Sequence, residues 1–312
     1  MKLAIPWFKS NQPKSGRVGI AVGPDGISVA QVDEQDGLIF HQGYELPEDL
    51  ADFFAELVEQ HDWHQQPCSL VIHPAYYQLL LTDRPSVETE ETHQALSWKI
   101  KELLEFPVDQ AVIDYFTLPD DAYRGRQKMV YVAALQKNQL QRLAEPIQNS
   151  GLMVDCIEVA ELAINNLATR HKHETGAFAV LKLFDAEGFI NMVEDGSLYL
   201  TRRFDLGTDE FFSGHDPQAF LNNLLLEVQR SVDYFESQLG KGIVTHLYYS
   251  PSGDIYQAIG DFLSEQLGIH VAPIPMGALV DSAQGDQLGR RALALGAALG
   301  PYDKQGGDSA AH

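Results

Sequence analysis

The chain has 312 residues, of which 45% are hydrophobic, and this is enough to bury the cores of two domains. Its 22 basic and 44 acidic side chains give a formal charge of −22, which argues against nucleic acid or an anionic membrane as a general partner. The two cysteines, Cys68 and Cys156, form no CxxC motif and lie in apolar stretches. They indicate structural thiols in a reducing compartment rather than a disulfide framework or a zinc site.

The first fifteen residues are predicted to form a flexible leader. They carry Leu3, Ile5, Trp7 and Phe8 among three lysines, but this apolar run is too short for a signal peptide and contains a proline. The simplest interpretation is a disordered terminus. The alternative is weak contact of residues 1–10 with a membrane surface, in which the lysines would add electrostatic attraction.

A pattern in residues 16–46 returns about 160 residues later. Alternating apolar residues from Val18 predict a strand, Pro24-Asp25-Gly26 predicts a turn into a second strand, and Asp36-Gly37 precedes a third. The same order of strands and turns starts again near Phe178. The sequence therefore predicts a three-stranded meander in each half.

Helices and strands follow both meanders in the same order. Apolar residues at helical spacing predict a helix from residue 50, and residues 216–239 predict a longer counterpart of roughly 35 Å. Short apolar strands ending in proline come next, at residues 69–74 and 246–251, and each precedes an amphipathic helix and a further strand. Each half is thus predicted to contain three strands, helix, strand, helix, strand.

Residues 86–135 have no counterpart in the second half. Within them, residues 89–104 predict a helix that ends before a proline, and residues 111–118 predict a strand. The loop at residues 123–128 is the one dense basic cluster of the chain. Its simplest interpretation is a solvated hairpin tip, and the alternative is a docking point for an acidic peptide.

A duplicated unit of this order resembles the fold of actin, Hsp70 and the sugar kinases, in which two related domains face each other across a nucleotide cleft. Three segments narrow the resemblance: WKIKELLEFPVDQAVIDYF (residues 98–116), QRSVDYFESQLG (229–240) and RRALALGAALG (290–300). They are similar to the PilM/MshI family of type IV pilus biogenesis proteins, most closely to the members that serve the mannose-sensitive haemagglutinin (MSHA) pilus. The resemblance covers about residues 16–300, without a single highly specific motif.

The resemblance implies an α/β protein with two actin-like domains, residues 16–172 and 173–300, a subdomain inserted at about residues 86–135, and a flexible tail, residues 301–312. It also implies a cytoplasmic protein, peripheral at the inner face of a bacterial inner membrane. In the PilM family the insertion helps to form the groove that holds the cytoplasmic N-terminal tail of a single-span inner-membrane pilus protein. The residues expected to bind this partner are Trp98, Ile100, Leu104, Arg124, Arg126 and Lys128.

The resemblance further implies a nucleotide site, in which two facing hairpin turns cradle phosphate and acidic side chains hold Mg²⁺. PilM-like sequences read G-I-D-I-G-S-S at the first turn, whereas here Ala21 replaces the aspartate and Pro24 removes an N–H. At the second turn, V-D-I-G-A, Lys182 replaces the acid and Phe184 replaces the glycine. The third, glycine-rich turn retains only Gly253.

These differences predict a degenerate site that does not hydrolyse ATP and requires no cofactor, with no catalytic residue and no metal ligand. Binding of ATP or ADP with Mg²⁺ stays open, because a lysine can pair with phosphate and the cleft itself should persist. The residues expected to contact a bound nucleotide are Gly23, Asp25, Lys182, Asp185, Glu227, Arg230 and Gly253.

The favoured hypothesis is a non-enzymatic scaffold of pilus assembly that recognises the tail of a membrane partner through strand-edge or groove contacts. One alternative is an ATP-binding switch, in which nucleotide closes the cleft and sets the affinity for partners. Another is an actin-like filament former, since two-domain subunits can stack head to tail. The sequence leaves open the oligomeric state and the particular pilus or secretion system.

Overall fold

The computed structural model describes residues 16–24, 26–123, 128–170, 176–213, 216–250, 254–274 and 291–300. Up to residue 170 the elements are β1 (Arg17–Gly23), β2 (Gly26–Val32), β3 (Leu38–Tyr44), α1 (Leu50–His61), β4 (Pro67–Ile72), β5 (Tyr77–Asp83), α2 (Thr89–Ile100), β6 (Ala111–Thr117), β7 (Met129–Gln136), α3 (Lys137–Asn149), β8 (Met153–Val159) and α4 (Ala160–Arg170). After it they are β9 (Ala177–Leu183), β10 (Gly188–Glu194), β11 (Ser197–Phe204), α5 (Thr208–Phe212), α6 (Pro217–Asp233), β12 (Val244–Ser250), α7 (Asp254–Leu267), β13 (His270–Pro273) and α8 (Ala292–Leu299).

Each half of the chain forms a five-stranded sheet with the same strand order. The orders are β3-β2-β1-β4-β8 and β11-β10-β9-β12-β13. The central strands begin at Arg17 and Ala177, an offset of 177 − 17 = 160 residues. In each sheet the first three strands pair antiparallel and the outer two pair parallel to the centre. The predicted duplication is therefore confirmed, while the proposed domain limits stay a prediction.

The helices follow from local signals in the sequence. The side chain of Asp49 caps α1 by accepting hydrogen bonds from the N–H groups of Ala51 (2.7 Å) and Asp52 (3.1 Å). The predicted helix 89–104 is four residues too long, because α2 ends at Ile100 and a turn follows it. The predicted helix 216–239 is present, and its last turn widens into a π-helical turn after Asp233.

Two helices rich in small residues, α4 and α8, pack between the sheets and join the two halves in one apolar cluster. The approach is close enough to require glycine. A Cβ on Gly19 of β1 would lie 1.9 Å from the carbonyl oxygen of Ala294, and one on Gly296 would lie 2.0 Å from that of Ala163. Helix α4 was not among the predicted elements, because its residues are buried nearly all round and show no amphipathic pattern.

The strands around the segment absent from the second half form a third sheet, in the order β5-β7-β6. Helix α2 covers one face of it through Leu96 and Ile100, which pack against alternate residues of β7. The other face of β7 packs on the core of the first half through Ala133 and Leu135. Tyr131 of the same strand contacts the core of the second half. This insertion sheet therefore touches both halves.

No helix in the described part of the chain is long and apolar enough to cross a membrane.

Candidate functional site

A cavity of about 480 Å³ lies between the two halves, where the hairpins β1–β2 and β9–β10 face each other. This central cleft brings together three of the predicted nucleotide contacts, Gly23, Lys182 and Asp185. Arg291, which precedes α8, also lines it. The strand register explains the meeting, because β1 and β9 are the central strands of the two sheets and both end at the cleft.

The lining of the central cleft lacks the carboxylate that the resemblance places on β1. Ala21 occupies that position and lines the cavity with a methyl group. On the opposite side, the ring of Phe184 packs edge to face with the imidazole of His73, with the ring centroids 4.4 Å apart. Lys182 is only 3% exposed, and its Nζ lies 4.9 Å from the Phe184 ring centroid. The aromatic ring therefore occupies space that a glycine would leave open for phosphate.

The second hairpin turn is hydrogen-bonded to the segment before α5. The N–H of Phe184 donates to the carbonyl of Glu187 (2.8 Å), while the N–H of Thr208 donates to the carbonyl of Phe184 (2.8 Å). Asp185 accepts through its carbonyl from the N–H of Asp209 (2.8 Å). Since the N–H of Phe184 is used within the hairpin, this turn offers fewer donors to a phosphate than the family pattern implies.

A buried polar network beside the cleft ties the two halves together. The Glu161 carboxylate, on α4, is fully buried and accepts from Nε of Arg203 on β11 (2.6 Å). It also accepts from the hydroxyl of Tyr77, and the Arg203 guanidinium lies over that ring at 4.3 Å. Burial, with the positive charges of Lys182 and Arg203, lowers the pKa of His73 to about 4. His73 is therefore neutral at pH 7.

The remaining predicted nucleotide contacts do not meet in the cleft. Glu227 pairs on α6 with Arg230 (2.9 Å) and with Arg202 of β11 (3.4 Å), and neither Glu227 nor Arg230 lines the cavity. Contact of these two residues with a nucleotide therefore stays a prediction. Asp25 and Gly253 lie outside the described residues.

A second, narrow pocket of about 30 Å³ lies where the insertion sheet meets α3 and the ends of β4 and β8. We call it the insertion groove. Its walls are apolar apart from two carboxylates, Asp114 of β6 and Glu158 of β8. The residues that form most of the apolar wall are Ile72, Val112, Ala133, Leu135, Leu140 and Ile157.

Both carboxylates of the insertion groove sit in apolar surroundings. Glu158 is 4% exposed, and burial raises its pKa to about 7, although Asn166 donates a hydrogen bond to Oε2 (2.9 Å). Burial also raises the pKa of Asp114, whose Oδ1 accepts from the N–H of Tyr115 (2.8 Å). Among the described residues, no lysine or arginine forms an ion pair with either carboxylate, and His93 lies 3.8 Å from Asp114.

The predicted partner-binding residues differ in their exposure to solvent. Trp98 is 67% exposed on α2, and Leu104 is half-buried beside that helix. Ile100 is fully buried against β7, because the apolar side of α2 covers the insertion sheet, and its contact with a partner stays a prediction. Lys128 pairs with Asp120 (2.9 Å) on the surface. Arg124 and Arg126 lie outside the described residues.

Sequence reasoning missed the two carboxylates of the insertion groove and the Arg203–Glu161 pair. One signal was present, because Asp114 and Glu158 interrupt apolar runs on predicted strands. An acidic residue inside such a run is costly to bury and marks a position with a special environment.

Two related α/β halves around a central cleft define this chain as a protein with the actin-like fold. Over 92% of its length it is similar to a solved PilM-PilN type IV pilus biogenesis complex, covering 98% of that chain with a TM-score of 0.74 and 20% identity. The predicted resemblance to PilM is thereby confirmed at the level of the fold.

Two further solved structures have a more distant likeness. The chain is similar to the cytoplasmic domain of EpsL, an inner membrane component of the type II secretion system of Vibrio cholerae, with a TM-score of 0.50, 12% identity and coverage of 80% and 94%. It is also similar to a Bacteroides thetaiotaomicron protein with the actin-like ATPase fold, with a TM-score of 0.53, 11% identity and coverage of 90% and 96%. No protein-family model and no curated protein matches the chain.

Proposed function

We propose that the chain is a non-enzymatic scaffold of type IV pilus assembly, of the MSHA type, at the cytoplasmic face of the inner membrane. It binds the cytoplasmic tail of a single-span pilus protein in the insertion groove, and its central cleft is degenerate. The observation that carries the proposal is the likeness, over nearly the whole chain, to a protein solved as a PilM-PilN complex.

The insertion groove has the features of a peptide site. It is apolar, it lies beside β6, and in the described sheet β6 pairs on one side only, with β7. Asp114 accepts a hydrogen bond from the N–H of Tyr115 on β6, and this N–H is then not available to pair with a further strand at the edge of the sheet. A tail that lies in the groove keeps this bond, whereas one that adds as a further strand must displace Asp114.

Connections between the halves support a scaffold rather than a switch. Besides the Arg203–Glu161 pair, the Tyr131 hydroxyl of the insertion sheet donates to the carbonyl of Thr201 (2.9 Å) and accepts from its N–H (3.1 Å). Lys241 pairs with Asp121, so the loop after β6 is also held to the second half. A nucleotide that closed the cleft would have to distort these contacts, of which the pair of Arg203 with Glu161 and the bonds of Tyr131 with Thr201 are buried.

Calorimetric titration of a synthetic PilN tail peptide into the full chain tests the proposal. We expect binding, and we expect Val112→Arg to weaken it at least tenfold because the larger cation fills the groove. The matched control is Ile39→Arg on β3, where the side chain is 58% exposed and far in sequence from the groove. Unchanged affinity in the Val112→Arg variant would exclude the insertion groove as the binding site.

The volume of the central cleft favours one second candidate, the nucleotide-binding switch, because about 480 Å³ is within the range of small-molecule sites. A ligand at a hundred times its dissociation constant adds about 2.7 kcal/mol to the free energy of unfolding. From the degenerate turns we expect no stabilisation of the full chain by ATP or ADP with Mg²⁺ in a thermal shift experiment. A clear rise in the unfolding temperature would favour the nucleotide-binding switch over the scaffold.

A further inference from the structure

We propose that the leader of this same chain, residues 1–15, occupies the insertion groove and competes with the partner tail, so that tail binding is autoinhibited. The inference rests on the proposed function, since it assigns regulation to the same groove. It takes the leader to be an internal ligand rather than a passive terminus or a membrane contact.

Charge and polarity make the leader complementary to the groove. It contains three lysines, Lys2, Lys9 and Lys14, and none of the chain's 44 acidic side chains. The groove contributes the carboxylates of Asp114 and Glu158 in apolar walls, and among the described residues neither forms an ion pair with a lysine or arginine, while His93 lies 3.8 Å from Asp114. A nearby cation stabilises a buried carboxylate that otherwise carries the full cost of desolvation.

The apolar side chains of the leader fit the rest of the lining. Leu3, Ile5, Trp7 and Phe8 give the leader an apolar character that is unusual for an exposed terminus of so acidic a chain. Pro6 favours an extended backbone on either side of it. An extended, apolar and basic segment is the kind of ligand that a narrow groove beside a strand edge accepts.

The strand register shows that the leader can reach the groove. Ala21 of β1 is level with Val71 of β4, and Val71 is level with Glu158 of β8. Gly16 precedes Ala21 by five residues along β1, and β1 lies two strands from β8. The distance from Gly16 to Glu158 is therefore about 20 Å. Fifteen extended residues span up to about 50 Å, so the first residues reach the groove without strain.

Other occupants match the groove less well. A peptide with acidic side chains at this point of the groove would meet the two carboxylates of Asp114 and Glu158, and like charges at close range oppose binding. An anionic membrane would meet a chain of net charge −22. The leader of a second copy carries the same side chains, but at ordinary concentrations a tethered segment has the higher effective concentration.

Two measurements on the full chain test the inference. In the first, Leu3→Cys is combined with Val112→Cys in a Cys156→Ser background and oxidised. We expect a disulfide within one chain, and none in the control that pairs Leu3→Cys with Ile39→Cys in the same background.

In the second measurement, Leu3→Asp/Ile5→Asp should tighten binding of the PilN tail peptide about tenfold. This is the gain expected if the leader occupies the groove in nine-tenths of the molecules. Ser10→Asp/Asn11→Asp makes the same charge change without removing apolar side chains and should have a smaller effect.

The outcomes separate the inference from the proposed function. In one outcome the tail peptide binds, but the leader variant binds it no more tightly and no disulfide to Val112→Cys forms. This outcome overturns the autoinhibition and leaves the assignment of the tail to the groove intact. If the disulfide forms but the tail peptide binds neither protein, the proposed function fails although the leader occupies the groove. Disulfides only between two chains would replace the internal ligand by a second copy and overturn the inference.

Discussion

The central cleft and the insertion groove differ in size and in chemistry, and the difference shows that volume alone does not identify a functional site. The cleft measures about 480 Å³, yet Ala21 and Phe184 stand where metal and phosphate would need an acid and a glycine. The groove measures about 30 Å³, yet it combines apolar walls with two buried carboxylates, Asp114 and Glu158. The proposed function assigns the partner to the groove and no ligand to the cleft.

The two sites also differ in origin. The cleft is built by equivalent hairpins of the two repeated halves, while the groove has the insertion sheet as one wall, and this sheet has no counterpart among the described strands of the second half. Duplication therefore accounts for the frame of the protein, and the asymmetric segment accounts for its proposed specificity.

The largest expected effect concerns the network beside the cleft. Arg203→Met leaves the carboxylate of Glu161 buried without its cation, and we expect a loss of about 3–5 kcal/mol in the free energy of unfolding. Arg202→Met on the same strand removes a partly exposed pair with Glu227 and should cost at most about 1 kcal/mol. Urea unfolding measures both. Similar losses in the two variants would contradict the idea that the cleft is held in one state.

The next effect separates the two sides of α2. Ile100→Ala should destabilise the protein by about 2–4 kcal/mol, because it opens a cavity between α2 and the insertion sheet. Trp98→Ala, on the exposed side of the same helix, should change the free energy of unfolding by no more than about 0.5 kcal/mol. If Trp98 contacts the tail, its replacement lowers peptide affinity instead. Equal destabilisation by both changes would show that α2 is buried on both sides.

The third effect depends on pH and belongs to the groove. The folded-state pKa of Glu158 is about 7, above its ordinary value of 4.5, so its contribution to stability is complete below about pH 4.5 and is lost as the pH rises through about 7. Glu158→Gln removes this titration and should stabilise the protein at pH 8 by at most about 3 kcal/mol, with little change at pH 4.5. Thermal unfolding across this range is the measurement. A difference between the two proteins that does not vary with pH would refute the raised pKa.

The smallest effect concerns the basic loop of the insertion. Arg124→Ala/Arg126→Ala should weaken binding of the tail peptide by about 0.5–1 kcal/mol at about 0.02 M salt and by less at about 0.5 M salt, because salt screens the attraction between charges. The Lys128→Ala variant is the comparison, since that lysine already pairs with Asp120. Equal losses at both salt concentrations would exclude an electrostatic role for the loop.

Much of the frame was predictable because it depends on short-range periodicity. Strand alternation and turn residues predicted the meanders, and the repeat at an offset of 160 residues predicted their duplication. Of the residues predicted to contact a nucleotide, Gly23, Lys182 and Asp185 line the central cleft, whereas Glu227 and Arg230 do not.

Contacts between segments distant in sequence were decided only by the tertiary structure. Ile100 was predicted to bind a partner, because helical spacing shows that a helix has an apolar side without showing that the insertion sheet covers it. Glu161 and Arg203 are 42 residues apart, which is farther than a local sequence motif extends. Their ion pair forms only when α4 packs between the sheets. Asp114 and Glu158 likewise acquire a shared pocket only after the insertion sheet docks on the first half. The repeated elements could be predicted from local sequence patterns alone, whereas the buried charges and the groove depend on tertiary packing, since desolvation depends on everything packed around a group.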